Sequence, residues 1–287
     1  MIVSRPYLMI SLLALLLSGC ASSVLFVANG LARLDGYRVT SALQYGPHDE
    51  NLLDVYQPEG RVAGVVVFFY GGCWGACTTF PRSHYRFVAQ TLATRGYLVV
   101  VPDYRQYPAV GFAPMMEDAV AVVKWVDENI ADFGGSADGL FLMGHSAGGH
   151  IAAMLAVDER YLGVDRSRRL GGFIGLAAPY DFDFDRPYLP KVFAGLPYAD
   201  SQPSRFVDGG EPPMLLLWGR ADEQVYERNI VTMARVVEQA DGMVEQHVYA
   251  GLDHTDMLAA FAIPSRDTSP VVADILEFLL RHRNPAG

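Results

Sequence analysis

The chain has 287 residues, 51% of them apolar, and a formal net charge of −10. That length suits one large domain or two small ones, and the apolar fraction is enough to build a sizeable core. No basic stretch supplies the electrostatic footprint that nucleic acid binding needs, so that class of function is excluded.

The first 19 residues read as an export leader. Arg5 gives it a positive start, and residues 8–17, LMISLLALLL, form an apolar centre too short to span a bilayer comfortably. The sequence Leu17-Ser18-Gly19-Cys20 resembles the lipobox of bacterial lipoproteins. That resemblance implies lipid on Cys20, membrane attachment through it, and a periplasm-facing place in the bacterial cell envelope. Ala21, which follows Cys20, points to the outer membrane. Residues 20–36 are expected to be a tether, and residues 37–287 a single domain.

With Cys20 lipidated, Cys73 and Cys77 remain as an even pair in an oxidising compartment. They lie four apart in an expected loop, close enough to bridge. Two cysteines alone are too few ligands for a zinc site.

Strand and helix signals then alternate. Residues 37–45 and 52–56 read as strands joined by a turn. Residues 63–70, AGVVVFFY, form a continuous β-branched and aromatic run, which suits a strand buried on both faces. Residues 97–101, 140–143, 173–177 and 214–218 repeat that signature, and 245–250 alternate as an edge strand would. Helices are expected over 83–94 with Ser83 as cap, 114–131, 146–157, 223–239 and 269–281. Together these predict an α/β protein of about eight strands, mostly parallel, with helices on both faces. Residues 180–212 break the rhythm and are rich in aromatics, Asp and Pro. A connection that long suggests a lid or pocket wall.

The chemistry concentrates after the buried strands. Gly144-His145-Ser146-Ala147-Gly148 follows the strand at 140–143 and opens a helix. A serine there matches the G-x-S-x-G nucleophile elbow. Ala147 then stands at a helix N-terminus, where amides face anions. His254, just past the last strand, is the candidate base. Asp222, closing the Gly219-x-x-Asp turn, is the candidate orienting acid, with Glu223 as its rival and Asp253 and Asp256 further off. The order Ser146, Asp222, His254 is that of α/β-hydrolases. Tyr70-Gly71-Gly72-Cys73-Trp74 ends the third strand and offers backbone donors for an oxyanion.

The stretches YGGCW, VVPDYRQYP, EDAVAVVKWVDENIADFGG, GHSAGGHIAA, WGRADE and GLDHTDM resemble α/β-hydrolase-fold esterases with an H-G-G-x-W oxyanion motif. That group takes in hormone-sensitive-lipase-like carboxylesterases, feruloyl-esterase-like enzymes and kynurenine formamidases, and the similarity runs from about Val39 to Leu280. It implies oxyanion donors from Gly72, Cys73 and Ala147, with neither metal nor cofactor. One departure stands out: Tyr70 occupies the place of the family's His, which is thought to brace the loop. Asp103 and Arg105 are expected to brace the core beside the site. The expected activity is a carboxylesterase for small acyl or aryl esters. The alternatives are an arylformamidase-like amide hydrolase and a non-catalytic envelope binding protein. Trp74, Tyr180, Phe182, Tyr188 and Phe193 are expected to line the substrate pocket.

Overall fold

The computed structural model describes residues 21–33 and 36–283. The leader and the lipidation candidate Cys20 lie outside the described residues. The centre is one eight-stranded sheet in the order β1-β2-β4-β3-β5-β6-β7-β8. Its strands are β1 Tyr37–Gln44, β2 Leu52–Pro58, β3 Gly64–Phe69, β4 Tyr97–Pro102, β5 Phe141–His145, β6 Gly172–Leu176, β7 Met214–Gly219 and β8 Val244–Tyr249. β2 pairs antiparallel with β1 and β4, and all later pairings are parallel. Every residue of β4, β5, β6 and β7 is buried, which is why these strands read as unbroken apolar runs. β1 and β8 are the edges, and both are only partly covered.

In chain order the helices are α1 Ala21–Ala32, α2 Arg86–Ala93, α3 Phe112–Asn129, α4 Ala147–Val157, α5 Glu159–Leu162, α6 Val164–Ser167, α7 Leu189–Val192, α8 Arg228–Gln239, α9 Asp256–Ala259 and α10 Pro270–His282. α4 crosses β3, β5 and β6, while α10 packs on β6 and β7.

Three local expectations differ from what is found. The expected tether holds α1, which docks on α2: Ala28 and Ala32 are buried, and Asn29 bonds the His84 carbonyl at 2.7 Å and the Phe87 amide at 3.2 Å. α2 begins at Arg86 after a 3₁₀ turn over Arg82–Tyr85, and no side chain caps it, Ser83 included. Asp103 holds both the amide and the guanidinium of Arg82, which tightens that turn. α8 starts at Arg228 instead of residue 223, because Asp222 Oδ1 takes the amides of Gln224 and Val225 into a turn of its own.

Candidate active site

β5 delivers Ser146 to the C-terminal edge of the sheet, where connecting loops gather. Ser146 sits at φ 55°, ψ −127°, a conformation costly for a residue with a Cβ. The surroundings hold it there. Its amide donates to the Leu176 carbonyl at 3.0 Å, and its carbonyl accepts from His150 at 3.0 Å. Gly148 allows the close approach: a Cβ there would lie 2.2 Å from the Phe69 carbonyl oxygen. All of α4 is buried behind the elbow, and Ala147 is its first residue.

Asp222 and His254 come from the loops after β7 and β8. His254 Nδ1 lies 2.8 Å from Asp222 Oδ2, and both residues are buried. Burial alone would raise the Asp222 pKa. The hydrogen bonds from His254 and from the Val225 and Gln224 amides outweigh it and hold the carboxyl below its ordinary value. The rival acids are placed otherwise. Glu223 is exposed, and Asp253 and Asp256 bond each other's turn through the 253, 255 and 256 amides. The His254 ring packs 4.6 Å from that of His145, the neighbour of Ser146.

The loop after β3 carries four consecutive positive φ angles: Gly72 126°, Cys73 54°, Trp74 56° and Gly75 98°. Gly72 is needed on two counts, since a Cβ there would also lie 2.6 Å from the Thr78 carbonyl oxygen. The loop curls back on itself, with the amides of Gly75 and Cys77 donating to the Gly72 carbonyl at 3.0 and 3.2 Å. Cys73 and Cys77 form a disulfide, with Cα atoms 5.3 Å apart. Gly71 faces Ser146 so closely that a Cβ on it would lie 2.8 Å from Ser146 Cβ.

Tyr70 braces this loop from below. Its hydroxyl donates to Asp103 Oδ1 at 2.7 Å, and its ring stacks on Tyr85 with centroids 4.6 Å apart. Asp103 is tied in turn to Arg82, and Arg82 to Asp54 at 2.7 Å. Arg105 pairs with Asp118 of α3 at 2.9 Å. Burial and the facing Asp103 carboxylate push the Tyr70 phenol well above its ordinary range, so it stays a donor.

A cleft of about 130 Å³ opens over Ser146. Trp74, the disulfide, Phe182 and Tyr188 line it, with Asp183 and Arg228 paired at 2.6 Å on its polar side. Two expected lining residues do not reach it. Tyr180 is buried against Gly175 and Phe173. Phe193 is buried behind the wall, touching Trp74, Phe112, His150 and Phe182. The segment 180–212 thus supplies the wall through Phe182 and Tyr188. It is pinned by Asn229, which takes the Tyr180 and Asp181 amides, and by Gln202, which takes that of Phe182. His150, which no sequence argument singled out, donates through Nε2 to the Ser201 carbonyl at 2.8 Å and ties the same segment to α4.

Residues 53–169 match the BD-FAE family model. Among solved structures, esterase B from Lactobacillus rhamnosis superposes with a TM-score of 0.73 at 19% identity, over 93% of this chain and 96% of that one. Thermogutta terrifontis esterase 2, phosphoramylated by tabun, superposes at 0.69 and 22% identity, over 86% and 94%. The chain has the α/β-hydrolase fold. Among curated proteins, the chain is similar to the isoprenylcysteine alpha-carbonyl methylesterase of Arabidopsis thaliana, 26% identical over 77% of the chain. It is also similar to esterase LipQ of Mycobacterium tuberculosis, 26% identical over 85%. It spans 57% and 63% of those two relatives' lengths.

Proposed function

We propose that this α/β hydrolase is a serine esterase for small acyl or aryl esters. The observation that carries the reading is the buried Asp222–His254 pair, its imidazole packed on His145, the residue before a serine held in the strained elbow. In the first step Ser146 Oγ attacks the ester carbonyl while His254 Nε2 takes its proton. Asp222 keeps the other proton on Nδ1 and stabilises the imidazolium as it forms. The amides of Gly72, Cys73 and Ala147 receive the developing oxyanion. His254 then returns the proton to the leaving alcohol. Water, deprotonated by the same imidazole, releases the acyl group.

The cleft sets the scale of the substrate. Drug-sized ligands fill roughly 300–1,000 Å³, and about 130 Å³ holds only a short acyl chain or a single ring. The esterase names of the similar proteins support the same class of reaction. The leader and its Cys20 box support attachment by lipid, with the catalytic domain facing the periplasm at the outer membrane. Hydrolysis of p-nitrophenyl esters from acetate to palmitate, beside Ser146→Ala, tests the reading. Turnover is expected to be highest for the shortest chains and lost in the variant. A wild-type protein inert towards esters but active on an aryl formamide would transfer the reading to amide hydrolysis. Inertness towards both would leave a binding protein.

A further inference from the structure

Two histidines flank the nucleophile, and neither belongs to its relay. His145 is buried between the loop after β3 and His254. Its Nδ1 lies 3.3 Å from where a Cβ on Gly71 would stand, and its Nε2 lies 2.9 Å from the backbone carbonyl of His254. A carbonyl only accepts, so Nε2 carries the proton and donates. Burial and the neighbouring His254 lower the His145 pKa to about 3, so the ring stays neutral while the base beside it gains and loses a proton.

The base needs such a tie. His254 follows an edge strand, on a loop whose neighbours Gly251, Asp253 and Thr255 are exposed. Asp222 fixes the imidazole but not the peptide that carries it. The loop backbone is anchored at Leu252 by the Ala221 amide, and at His254 itself by His145. The second anchor comes from the last residue of β5, one residue before the nucleophile, so it references the base directly to Ser146.

We propose that His145 is a positioning residue for His254: its Nε2–H holds the carbonyl of the base at a fixed distance from the strand that delivers the nucleophile. The inference rests on the esterase reading for its kinetic consequence, not for its geometry. His145→Ala is expected to lower kcat about 10- to 100-fold with KM changed less than about twofold, as misplacing a catalytic group by an ångström does. His145→Gln places an amide N–H near the position of Nε2 and is expected to recover most of the loss. A second readout needs no turnover: the low-field proton resonance of His254 Nδ1–H, shared with Asp222. It should be sharp in the wild-type protein, broadened or lost in His145→Ala, and restored in His145→Gln. Retention of both kcat and the resonance in the Ala variant would overturn the proposal. So would equal loss in the Ala and Gln variants, because the donor would then not be the agent. An inert wild-type protein whose resonance still responds in this pattern would sink the esterase reading alone.

Discussion

Opening the Cys73–Cys77 bridge should weaken catalysis without unfolding the protein. Cys73 and Trp74 both adopt left-handed backbone angles, at about 1–2 kcal/mol each for a residue with a Cβ. A cross-link between residues four apart in sequence restricts the open chain by about 2 kcal/mol. The bridge therefore offsets roughly half or more of the strain in the loop that carries the proposed oxyanion donors. The rest falls to Trp74, packed on Phe182 and Phe193, and to its carbonyl, which accepts from Tyr107 at 2.9 Å. Losing about 2 kcal/mol of bias towards the productive loop corresponds to at most about thirtyfold in kcat/KM. The same loss lowers Tm by no more than about 8 °C in a domain of this size. The assay is hydrolysis of a short ester before and after reduction, with thiol titration confirming two new thiols and circular dichroism confirming the fold. Unchanged kcat/KM in protein shown to be reduced would refute the reasoning, and so would a collapse of the whole fold.

Asp222→Asn should cost about 10³- to 10⁴-fold in kcat with little change in stability. The Asn oxygen can keep the Gln224 and Val225 amides, which turns its NH₂ to His254 Nδ1 and forces the proton onto Nε2, where the base needs a lone pair. A loss of less than tenfold would contradict Asp222 as the orienting acid. Stability should fall in mild acid through the buried histidines. Burial lowers the His150 pKa to about 4 and that of His145 to about 3, against 6.5 when unfolded. Between those values the unfolded chain binds the extra protons. The stabilisation is therefore full above pH 6.5 and lost as pH falls from there through the folded values, at about 1.4 kcal/mol per histidine per pH unit. Urea midpoints from pH 7.5 to 4.5 should show the slope, and His150→Gln should make it shallower by one histidine's share; an unchanged slope would mean that His150 is protonated in the folded state.

The parts of this molecule legible in the sequence are those whose signal is local. β4 to β7 are buried on both faces, and unbroken runs such as YLVVV and MLLLW say so without any partner in view. The elbow is a five-residue pattern set by its own strand and helix, and the Gly219-x-x-Asp turn favours Asp222 over Glu223 for a similarly local reason. What escaped depends on residues far apart. Among the described side chains, Ala28, Ala32 and Asn29 dock α1, and the His84 carbonyl that Asn29 bonds lies 55 residues away. The start of α2 was set by Asp103, an acid beyond its other end. Aromatic identity does not separate pocket from core: Tyr188 and Phe193 lie five apart in one segment, yet only Tyr188 reaches the cleft. The tie from His145 to His254 spans 109 residues, and no spacing rule announces it.

The distribution of constraint over the site is uneven, and the unevenness has a mechanical reason. Ser146 carries strain of roughly 1–3 kcal/mol, and the surrounding structure over-determines it. β5 is paired with β3 on one side and β6 on the other, and α4 is buried along its whole length. His254, the proposed base, has no such frame, because β8 has a neighbour on one side only. Its geometry must be imported by side chains that reach from better-held elements. Asp222, leaving the fully buried β7, holds the ring, and His145, ending the equally buried β5, holds the peptide. The loop of the proposed oxyanion donors follows the same logic, with Tyr70 and the disulfide standing in for the pairing that its left-handed backbone cannot make. Sensitivity to substitution should therefore concentrate in these reaching side chains. The loop that carries His254 exposes Gly251, Asp253 and Thr255, whereas Gly71 and Gly72 leave no room for a Cβ.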